Sequence, residues 1–226
     1  MCALRLREMV RVMNCANEAA YDLWASSYPP LPHNPLMAAE QAAVLALWPE
    51  VRGRRGLDLA CGSGRYGVLM AQAGAAGVIG CDRSAGMLAR APLAHRVRAD
   101  MQRLPFAAGR FDLIVCGLAV GHAPRLAAWM AEAARVLAPG GVLVYSDFHP
   151  DAARAGMTRS FTDATGLRHE LVHVRHEVEA HHRAGAQAGL VLQDQREVRL
   201  GHELQAPGRA DQQGLRVVLA LRWGKP

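Results

Sequence analysis

The stretch LDLACGSGRYG, residues 57–67, constrains the fold of this chain more than any other segment. The short apolar run at 56–60 is bounded by glycine, which predicts a buried strand that enters a tight turn. Glycine has no Cβ, so Gly62 and Gly64 permit positive φ and allow a ligand to approach the main chain closely. A strand, a glycine turn and a helix in this order build the nucleotide-type site of an open α/β sheet.

The pattern that follows this turn alternates between short apolar runs and segments of helical period. Further strands are predicted at 78–81, 97–99, 111–116 and 142–148, and helices at 66–73, 85–91 and 125–137. The run APGG at 138–141 is expected to end the last of these helices. Such alternation predicts a mostly parallel sheet with helices on both faces.

The C-terminal third breaks the alternation. Residues 190–200 and 215–223 predict two strands without a convincing helix between them, so we expect this pair to be antiparallel. The expected fold is therefore α/β: a Rossmann-like open sheet, mostly parallel, with a C-terminal antiparallel strand pair. A length of 226 residues suits a single domain, 1–226. Within it we expect an N-terminal helical lid at 1–50, with helices at 17–25 and 35–48, and an excursion at 150–188 that ends in a helix near 177–188.

The composition excludes several classes of protein. Apolar residues make up 51% of the chain and charged residues 20%, which is typical of a globular protein. No run of eighteen uncharged apolar residues occurs, so no membrane span is expected, and the N-terminus does not resemble a secretion signal. The net charge is +6, but the arginines are dispersed and aromatic residues make up only 5%, so no nucleic-acid partner is expected.

The cysteines indicate a reducing compartment. Their number is odd and no CxxC pair occurs, which favours free thiols in a cytoplasmic protein over disulfides or a zinc site. They are Cys2, Cys15, Cys61, Cys81 and Cys116.

The glycine spacing raises the question of which nucleotide binds. Gly62, Gly64 and Gly67 satisfy the dinucleotide fingerprint, which alone is a weak signal. A carboxylate at Asp58, within the strand that leads to the turn, would oppose the negative charge of a pyrophosphate. A positively charged ligand without phosphate fits this acid better.

Four segments, taken in order, resemble the class I S-adenosylmethionine-dependent methyltransferases. They are LDLACGSGRYG (57–67), VIGCDRSAGML (78–88), RADMQRLPFAAGRFDLIVCGLAVGH (98–122) and EAARVLAPGGVLVYSDF (132–148). With the terminal strand pair, the resemblance spans about residues 15–226. One departure is Ala60, where many members of the family carry glycine.

The resemblance implies S-adenosylmethionine as the cofactor and assigns roles to residues of this chain. Asp58 would meet the ammonium group, and Asp82, at the end of the second strand, would bind the two ribose hydroxyls. Asp100 and Met101 would contact the adenine. The remaining members of the expected cofactor site are Ala60, Gly62, Gly64, Arg83 and Tyr21.

The acceptor of the methyl group is expected over the carboxyl ends of the fourth and fifth strands. His122 and His149 are the catalytic candidates, since a histidine near neutral pKa can accept a proton from the acceptor. The alternative for His122 is a residue that caps the helix that follows it, and the alternative for His149 is a polar residue needed by the turn at Pro150. From the lid, Trp24, Tyr28 and His33 are candidates for substrate binding, and the alternative is an aromatic stripe that covers the edge of the sheet.

The segment HELVHVRHEVEAHH, residues 169–182, holds five of the ten histidines. His173 and His176 are three apart, and Glu177 could join them on one helix face as metal ligands. No metal is expected, because a closed site needs a convincing third and fourth ligand. A polar face, or a lid over the acceptor, is the preferred interpretation.

The function expected from the resemblance is methyl transfer to oxygen, nitrogen or carbon of a small molecule. Length and lid resemble the ubiquinone/menaquinone C-methyltransferases and the biotin-pathway carboxyl methyltransferases. Two alternatives stay open: an RNA methyltransferase, although no NPPY-like tetrapeptide follows the fourth strand, and a binding protein that keeps the cofactor fold without transferring methyl. The oligomeric state cannot be read from the sequence.

Overall fold

A computed structural model of the chain describes residues 17–163, 165–201 and 213–226. The first sixteen residues, which include Cys2 and Cys15, lie outside these ranges, and so do the sequence-based expectations for them.

The described residues form one large sheet and a small hairpin. The large sheet has seven strands in the order β3-β2-β1-β4-β5-β9-β8, and β6 pairs with β7 in the hairpin. The strands are β1 (Arg55–Leu59), β2 (Gly77–Asp82), β3 (His95–Arg98), β4 (Phe111–Cys116), β5 (Leu137–Phe148), β6 (Ser160–Thr162), β7 (Arg168–Glu170), β8 (Val191–Arg199) and β9 (Arg216–Gly224).

Seven α-helices and one 3₁₀ turn accompany these strands in the described part of the chain. They are α1 (Asn17–Ala25), α2 (Pro35–Leu45), α3 (Arg65–Gln72), α4 (Ala85–Arg90), the 3₁₀ turn (Val120–His122), α5 (Leu126–Val136), α6 (Pro150–Arg154) and α7 (Val178–Gln187). Within these residues, no helix combines the length and the apolar character that crossing a membrane requires.

The direction of the strands confirms the expected fold class. β1 to β5 pair in parallel, whereas β9 runs antiparallel to both β5 and β8. The carboxyl ends of β1, β2 and β4 therefore meet at one edge of the sheet, where an open α/β sheet binds its ligand.

The two faces of the sheet are covered by different helices. One buried cluster includes Trp129 of α5 and Ala184 of α7, and the other includes Val44 of α2 and Met70 of α3. A close contact lies at Gly185, where an added Cβ would fall 2.3 Å from the ring of Trp223. This close contact explains a glycine in the interior of α7, where it would otherwise weaken the helix.

Two predicted element ends differ from the structure by several residues. The APGG run lies inside β5 rather than between a helix and a strand, because Phe111 already pairs with Leu137 before the register shifts. The N–H of Gly140, at φ 71°, donates to the Lys225 carbonyl, so this irregular part of the strand is tied to the chain beyond β9. Helix α2 ends at Leu45 rather than at residue 48, in keeping with the bias against helical backbone just before a proline.

Candidate active site

A cavity of about 440 Å³ opens at the carboxyl edge of the sheet. Its wall is formed by α1, by the turns that follow β1, β2, β3 and β4, and by residues of the excursion between Arg159 and Val174. Ten of the residues expected at the site line it: Tyr21, Tyr28, Asp58, Ala60, Gly62, Asp82, Arg83, Asp100, Met101 and His122. Volumes of this size are usual for small-molecule sites.

The glycine turn after β1 takes the left-handed conformations that its sequence predicts. Gly62 has φ 52° and Gly64 φ 88°, and Ala60 adopts φ 55° although it carries a Cβ. Gly64 does not line the cavity, because it packs against α4: an added Cβ would lie 3.1 Å from the Cβ of Ala91. Gly64 thus shapes the turn from behind the cavity.

Asp82 holds this turn in place from the end of β2. Its Oδ2 accepts a hydrogen bond from the Gly62 N–H at 2.8 Å, and its Oδ1 accepts one from the Ser84 N–H at 2.9 Å. Burial raises the pKa of Asp82. Each carboxylate oxygen keeps a further lone pair for a hydroxyl donor in the cavity, which suits a ribose.

Asp58 lies deeper, within β1, and is only 1% exposed. Its Oδ2 accepts a hydrogen bond from the Gly67 N–H at 2.6 Å. Burial raises the pKa of Asp58 to about 8, so the carboxyl group holds a proton at neutral pH in the free protein. A cation placed beside it would favour the ionised form, so the site suits an ammonium group.

The third acid, Asp100, follows β3 and lies at the mouth of the cavity. Its Oδ2 is 3.8 Å from a guanidinium nitrogen of Arg83, whose Nε donates to Glu18 of α1 at 2.7 Å. Arg98 contacts the same Glu18 carboxylate at 2.5 Å. These ion pairs bring the lid helix α1 over the end of the cavity that holds Asp82 and Asp100, and sequence reasoning missed Glu18.

His122 is held through both nitrogens of its ring. Nε2 lies 2.9 Å from the Tyr21 hydroxyl oxygen and 3.2 Å from Nη1 of Arg159. A guanidinium only donates hydrogen bonds, so Nε2 accepts from Arg159. Nδ1 lies 3.0 Å from the Val172 carbonyl oxygen and 2.7 Å from the amide nitrogen of Asn17. Burial and the neighbouring Arg159 lower the pKa of His122 to about 3. His122 is therefore neutral, with its lone pair shared between Tyr21 and Arg159.

Two residues of α1 complete this end of the cavity. The Asn17 amide makes two hydrogen bonds to the main chain of Val172. Its nitrogen donates to the Val172 carbonyl oxygen at 2.7 Å, and its oxygen accepts from the Val172 N–H at 2.9 Å. Burial raises the pKa of the Tyr21 hydroxyl, which keeps it protonated. Sequence reasoning had no signal for Asn17, since its partner is 155 residues away.

His149, in contrast, does not line the cavity. Its side chain is buried, and its Nδ1 accepts a hydrogen bond from the Asp151 N–H at 3.2 Å, which makes it the N-cap of α6. The expectation that it faces the acceptor needs correction, because His149 serves the turn at Pro150 as a helix cap. The physical reason is Pro150, which starts a helix whose first N–H groups need an acceptor.

Trp24 and His33 also lie outside the cavity lining. Trp24 stacks on Phe161 at 4.5 Å between ring centroids. His33 is exposed, and its ring meets the Trp24 ring edge-on at 6.3 Å between centroids. Tyr28 does line the cavity and meets the Trp24 ring at 4.8 Å. The lid aromatics therefore divide: Tyr21 and Tyr28 face the ligand space, whereas Trp24 and His33 pack outside it.

Asp147, at the end of β5, is fully buried behind the cavity wall. Its Oδ1 accepts hydrogen bonds from the N–H groups of Phe148 at 2.9 Å and Gly121 at 3.2 Å, and lies 3.5 Å from Nε2 of His173. The ring of His173 packs so closely on Gly121 that an added Cβ would lie 1.8 Å from it. Burial raises the pKa of Asp147 to about 7 and lowers that of His173 to about 4. This cluster supports the 3₁₀ turn that carries His122.

The histidine-rich segment does not have the geometry expected of a metal site. Residues 172–177 are not helical, so His173, His176 and Glu177 do not share a helix face, and His176 Nε2 contacts the Ala123 carbonyl oxygen at 3.0 Å. Within the described ranges, no group of three or more His, Cys, Asp or Glu residues could hold a metal ion.

A buried carboxylate that sequence reasoning missed connects the lid to the site. Glu40 of α2 is fully buried and lies 2.8 Å from the Arg65 guanidinium, and it accepts hydrogen bonds from the hydroxyls of Tyr66 at 2.8 Å and Ser146 at 2.5 Å. Its position on an apolar helix was the available signal, because a buried acid requires partners. Glu40 therefore connects α2 to α3 and to β5 by hydrogen bonds and an ion pair.

A Rossmann-like sheet with acids at or near the carboxyl ends of its first three strands is typical of nucleoside-binding domains, and comparisons with known proteins point to the same class. A family model described as "Methyltransferase domain" matches residues 57–145. Residues 57–145 therefore match a methyltransferase domain, and the chain is similar to the class I S-adenosylmethionine-dependent methyltransferases. The cofactor implied by this family is S-adenosylmethionine.

Individual relatives agree with this assignment. The chain is 39% identical over 100 residues to a demethylmenaquinone methyltransferase of Beutenbergia cavernae, a match that covers 42% of this chain and 41% of the relative. It is 36% identical over 124 residues to a malonyl-[acyl-carrier protein] O-methyltransferase of Enterobacter lignolyticus, over 53% of this chain and 49% of the relative. The matched part thus spans less than half the length of either relative.

A solved structure matches over more of the chain. An S-adenosylmethionine-dependent methyltransferase from Mesorhizobium loti superposes with a TM-score of 0.67 at 26% identity, and the match covers 83% of this chain and 98% of the other. The similarity therefore extends well beyond residues 57–145.

Proposed function

We propose that this protein transfers the methyl group of S-adenosylmethionine to a small-molecule acceptor at oxygen, nitrogen or carbon. The observation that carries the proposal is a single cavity with two chemically different ends. Asp58, Asp82 and Asp100 face one end, and Tyr21, His122 and Arg159 face the other. The first end suits a cationic adenosyl ligand, and the second leaves room for an acceptor.

At the adenosyl end, the residues present fit the cofactor. Asp82 would accept from both ribose hydroxyls, Asp58 would meet the ammonium group, and Asp100 with Met101 would contact the adenine. The main chain at Ala60 and Gly62 would lie against the methionine part. Arg83, which lines the cavity and contacts Asp100, would hold the adenine loop in position.

At the acceptor end, this chain's residues align the acceptor and exclude water. The bound cofactor supplies an electrophilic methyl group on a sulfonium, which is already a good leaving group. Tyr21 of α1 and Val172 and Val174 of the excursion line the cavity, so an acceptor beside them would be partly enclosed and held in place. Because the lone pair of His122 is already engaged, its proposed role is to orient Tyr21 and Arg159 rather than to remove a proton.

The small-molecule acceptor is favoured over RNA by how the arginines are used. Several surface arginines form ion pairs within the protein, including Arg55 with Asp112, Arg154 with Asp151 and Arg216 with Asp151. Such pairs reduce the positive field that a phosphate backbone would need. The proposed location is the cytoplasm, supported by the buried free thiols of Cys61, Cys81 and Cys116.

Calorimetry with S-adenosylhomocysteine tests the cofactor half of this proposal. Asp82→Asn should raise the Kd about tenfold or more, because a hydrogen bond to a charged acceptor is lost. Asp194→Asn, an exposed acid on β8, is the matched control and should leave the Kd unchanged. A wild-type protein that does not bind this ligand would refute the proposal.

A second measurement separates transfer from binding alone. The protein is incubated with S-adenosylmethionine that carries a labelled methyl group and with a small-molecule extract freed of macromolecules. We expect label to appear in an extract component and not in added RNA. Tight binding of S-adenosylhomocysteine without transfer to any component would instead identify a cofactor-fold binding protein.

A further inference from the structure

One cation at the acceptor end of the cavity has unused hydrogen-bonding capacity. Nη1 of Arg159 donates to the Leu118 carbonyl and lies 3.2 Å from Nε2 of His122. A guanidinium carries five N–H donors. Within the described residues, Nε and Nη2 of Arg159 have no hydrogen-bond partner, so most of its donor capacity is free.

The charge of Arg159 is also unbalanced. The two other arginines that line the cavity each have a carboxylate nearby, Arg65 at Glu40 and Arg83 at Glu18. In the described part of the chain, no carboxylate lies within ion-pair distance of Arg159, which is only partly exposed. The charge of Arg159 acts to lower the pKa of Asp147, so the two groups are near each other. The Oδ1 of Asp147, however, already accepts from the N–H groups of Gly121 and Phe148. A partly buried cation of this kind favours an anion beside it.

The guanidinium is also held in a defined position. Its Cζ lies 5.8 Å from the centroid of the Tyr21 ring and 5.7 Å from that of Phe148, within the range of cation–π attraction. Arg159 lines both the main cavity and a second, smaller cavity of about 140 Å³. Since its carbonyl and ring contacts restrain it, a ligand would lose little free energy in ordering it.

The order of the strands places this cation away from the adenosyl end. The acids of that end belong to β1 and to the ends of β2 and β3, whereas Arg159 contacts Leu118 and His122, which both follow β4. A group bound by Arg159 would therefore lie over β4, on the acceptor's side of the cavity.

From these contacts we infer that the methyl acceptor is a carboxylate-bearing small molecule and that Arg159 binds its carboxylate through the free edge of the guanidinium. A planar fork of N–H donors matches the two oxygens of a carboxylate. This inference rests on the proposed function, since it assigns the substrate class of the same site. Arg159 is then a specificity-determining residue, and His122 and Tyr21 position it.

A series of carboxylic acids, from acetate to naphthoate, tests the inference when each acid is paired with its own primary amide. Binding is measured by calorimetry on the full chain, with and without S-adenosylhomocysteine. We expect at least one acid to bind about tenfold or more tightly than its amide, because only the acid forms charge-assisted hydrogen bonds. This comparison needs only the wild-type protein.

Variants then assign the preference to one side chain. Arg159→Gln should abolish the acid-over-amide preference, and Arg159→Lys should retain part of it, because the charge remains without the fork. Arg168→Gln is the matched control: it alters an exposed arginine on β7 of the hairpin that directly follows Arg159. Arg168 does not line the cavity, so this variant should keep the preference.

Three outcomes would overturn the inference: no acid is preferred over its amide, the preference survives in Arg159→Gln, or Arg159→Gln weakens S-adenosylhomocysteine binding about as strongly as Asp82→Asn. The last outcome would assign the guanidinium to the cofactor's own carboxylate. Failure of the wild-type protein to bind S-adenosylhomocysteine would refute the proposed function separately, since the acids are also measured without it.

Discussion

The buried carboxyl group of Asp58 should make cofactor binding depend on pH. With a pKa of about 8, Asp58 is about 1% ionised at pH 6 and about 9% ionised at pH 7. If the ammonium group of the ligand binds only the ionised form, the apparent Kd is divided by the ionised fraction. The Kd for S-adenosylhomocysteine should therefore fall about tenfold from pH 6 to pH 7, with release of close to one proton per ligand at pH 6.

Calorimetry in two buffers of different ionisation enthalpy measures both quantities. Two controls isolate the cause: adenosine lacks the ammonium group, and Asp58→Asn lacks the titration while its side-chain oxygen can still accept from the Gly67 N–H. Each should flatten the pH dependence. A Kd for S-adenosylhomocysteine that stays constant between pH 6 and pH 7 without proton release would show that Asp58 does not pair with the ammonium group.

Two further predictions concern stability and are measured by unfolding. Ala60→Gly should stabilise the protein by about 0.5–1 kcal/mol, because the left-handed strain at φ 55° outweighs the added chain entropy of glycine; a lower Tm in a heating scan would contradict this explanation. Glu40→Gln should destabilise by about 3 kcal/mol in urea unfolding, because the buried Arg65 loses its counter-charge. The exposed Glu50→Gln is its control and should change the midpoint little, whereas equal effects of the two variants would argue against a buried ion pair at Glu40.

The sequence predicts the parts of the fold and site that depend on local pattern. The apolar run FDLIVC appears as β4 with the expected bounds, Phe111–Cys116, and α1 also has its predicted bounds. The positions of Asp58 and Asp82 at the cavity could be predicted, because an acid within or just after a parallel strand lies near the carboxyl edge of the sheet. This position does not depend on how the helices pack. These inferences need only the period of each element and the direction of the sheet.

The contacts of Arg159 and Glu40 could not be predicted, because these residues meet their partners only through the tertiary fold. Arg159 contacts His122 across 37 residues, and Glu40 contacts Ser146 across 106. No local period marks either pair. His149 lies outside the cavity for a related reason: the position after a strand is also where a helix cap is needed, and Pro150 begins such a helix.

The two helices of the lid are anchored by different kinds of contact. Helix α2 is attached through Glu40, a fully buried carboxylate, whereas the charged contacts of α1 use Glu18 with Arg83 and Arg98, both more than half exposed. Exposed ion pairs weaken as salt is added, and buried ones hardly respond. We therefore expect α1 to move away from the cavity when the two ligands bind and the products dissociate. Helix α2 should stay in place during this movement. Turnover should consequently respond to ionic strength even when the acceptor is not a nucleic acid.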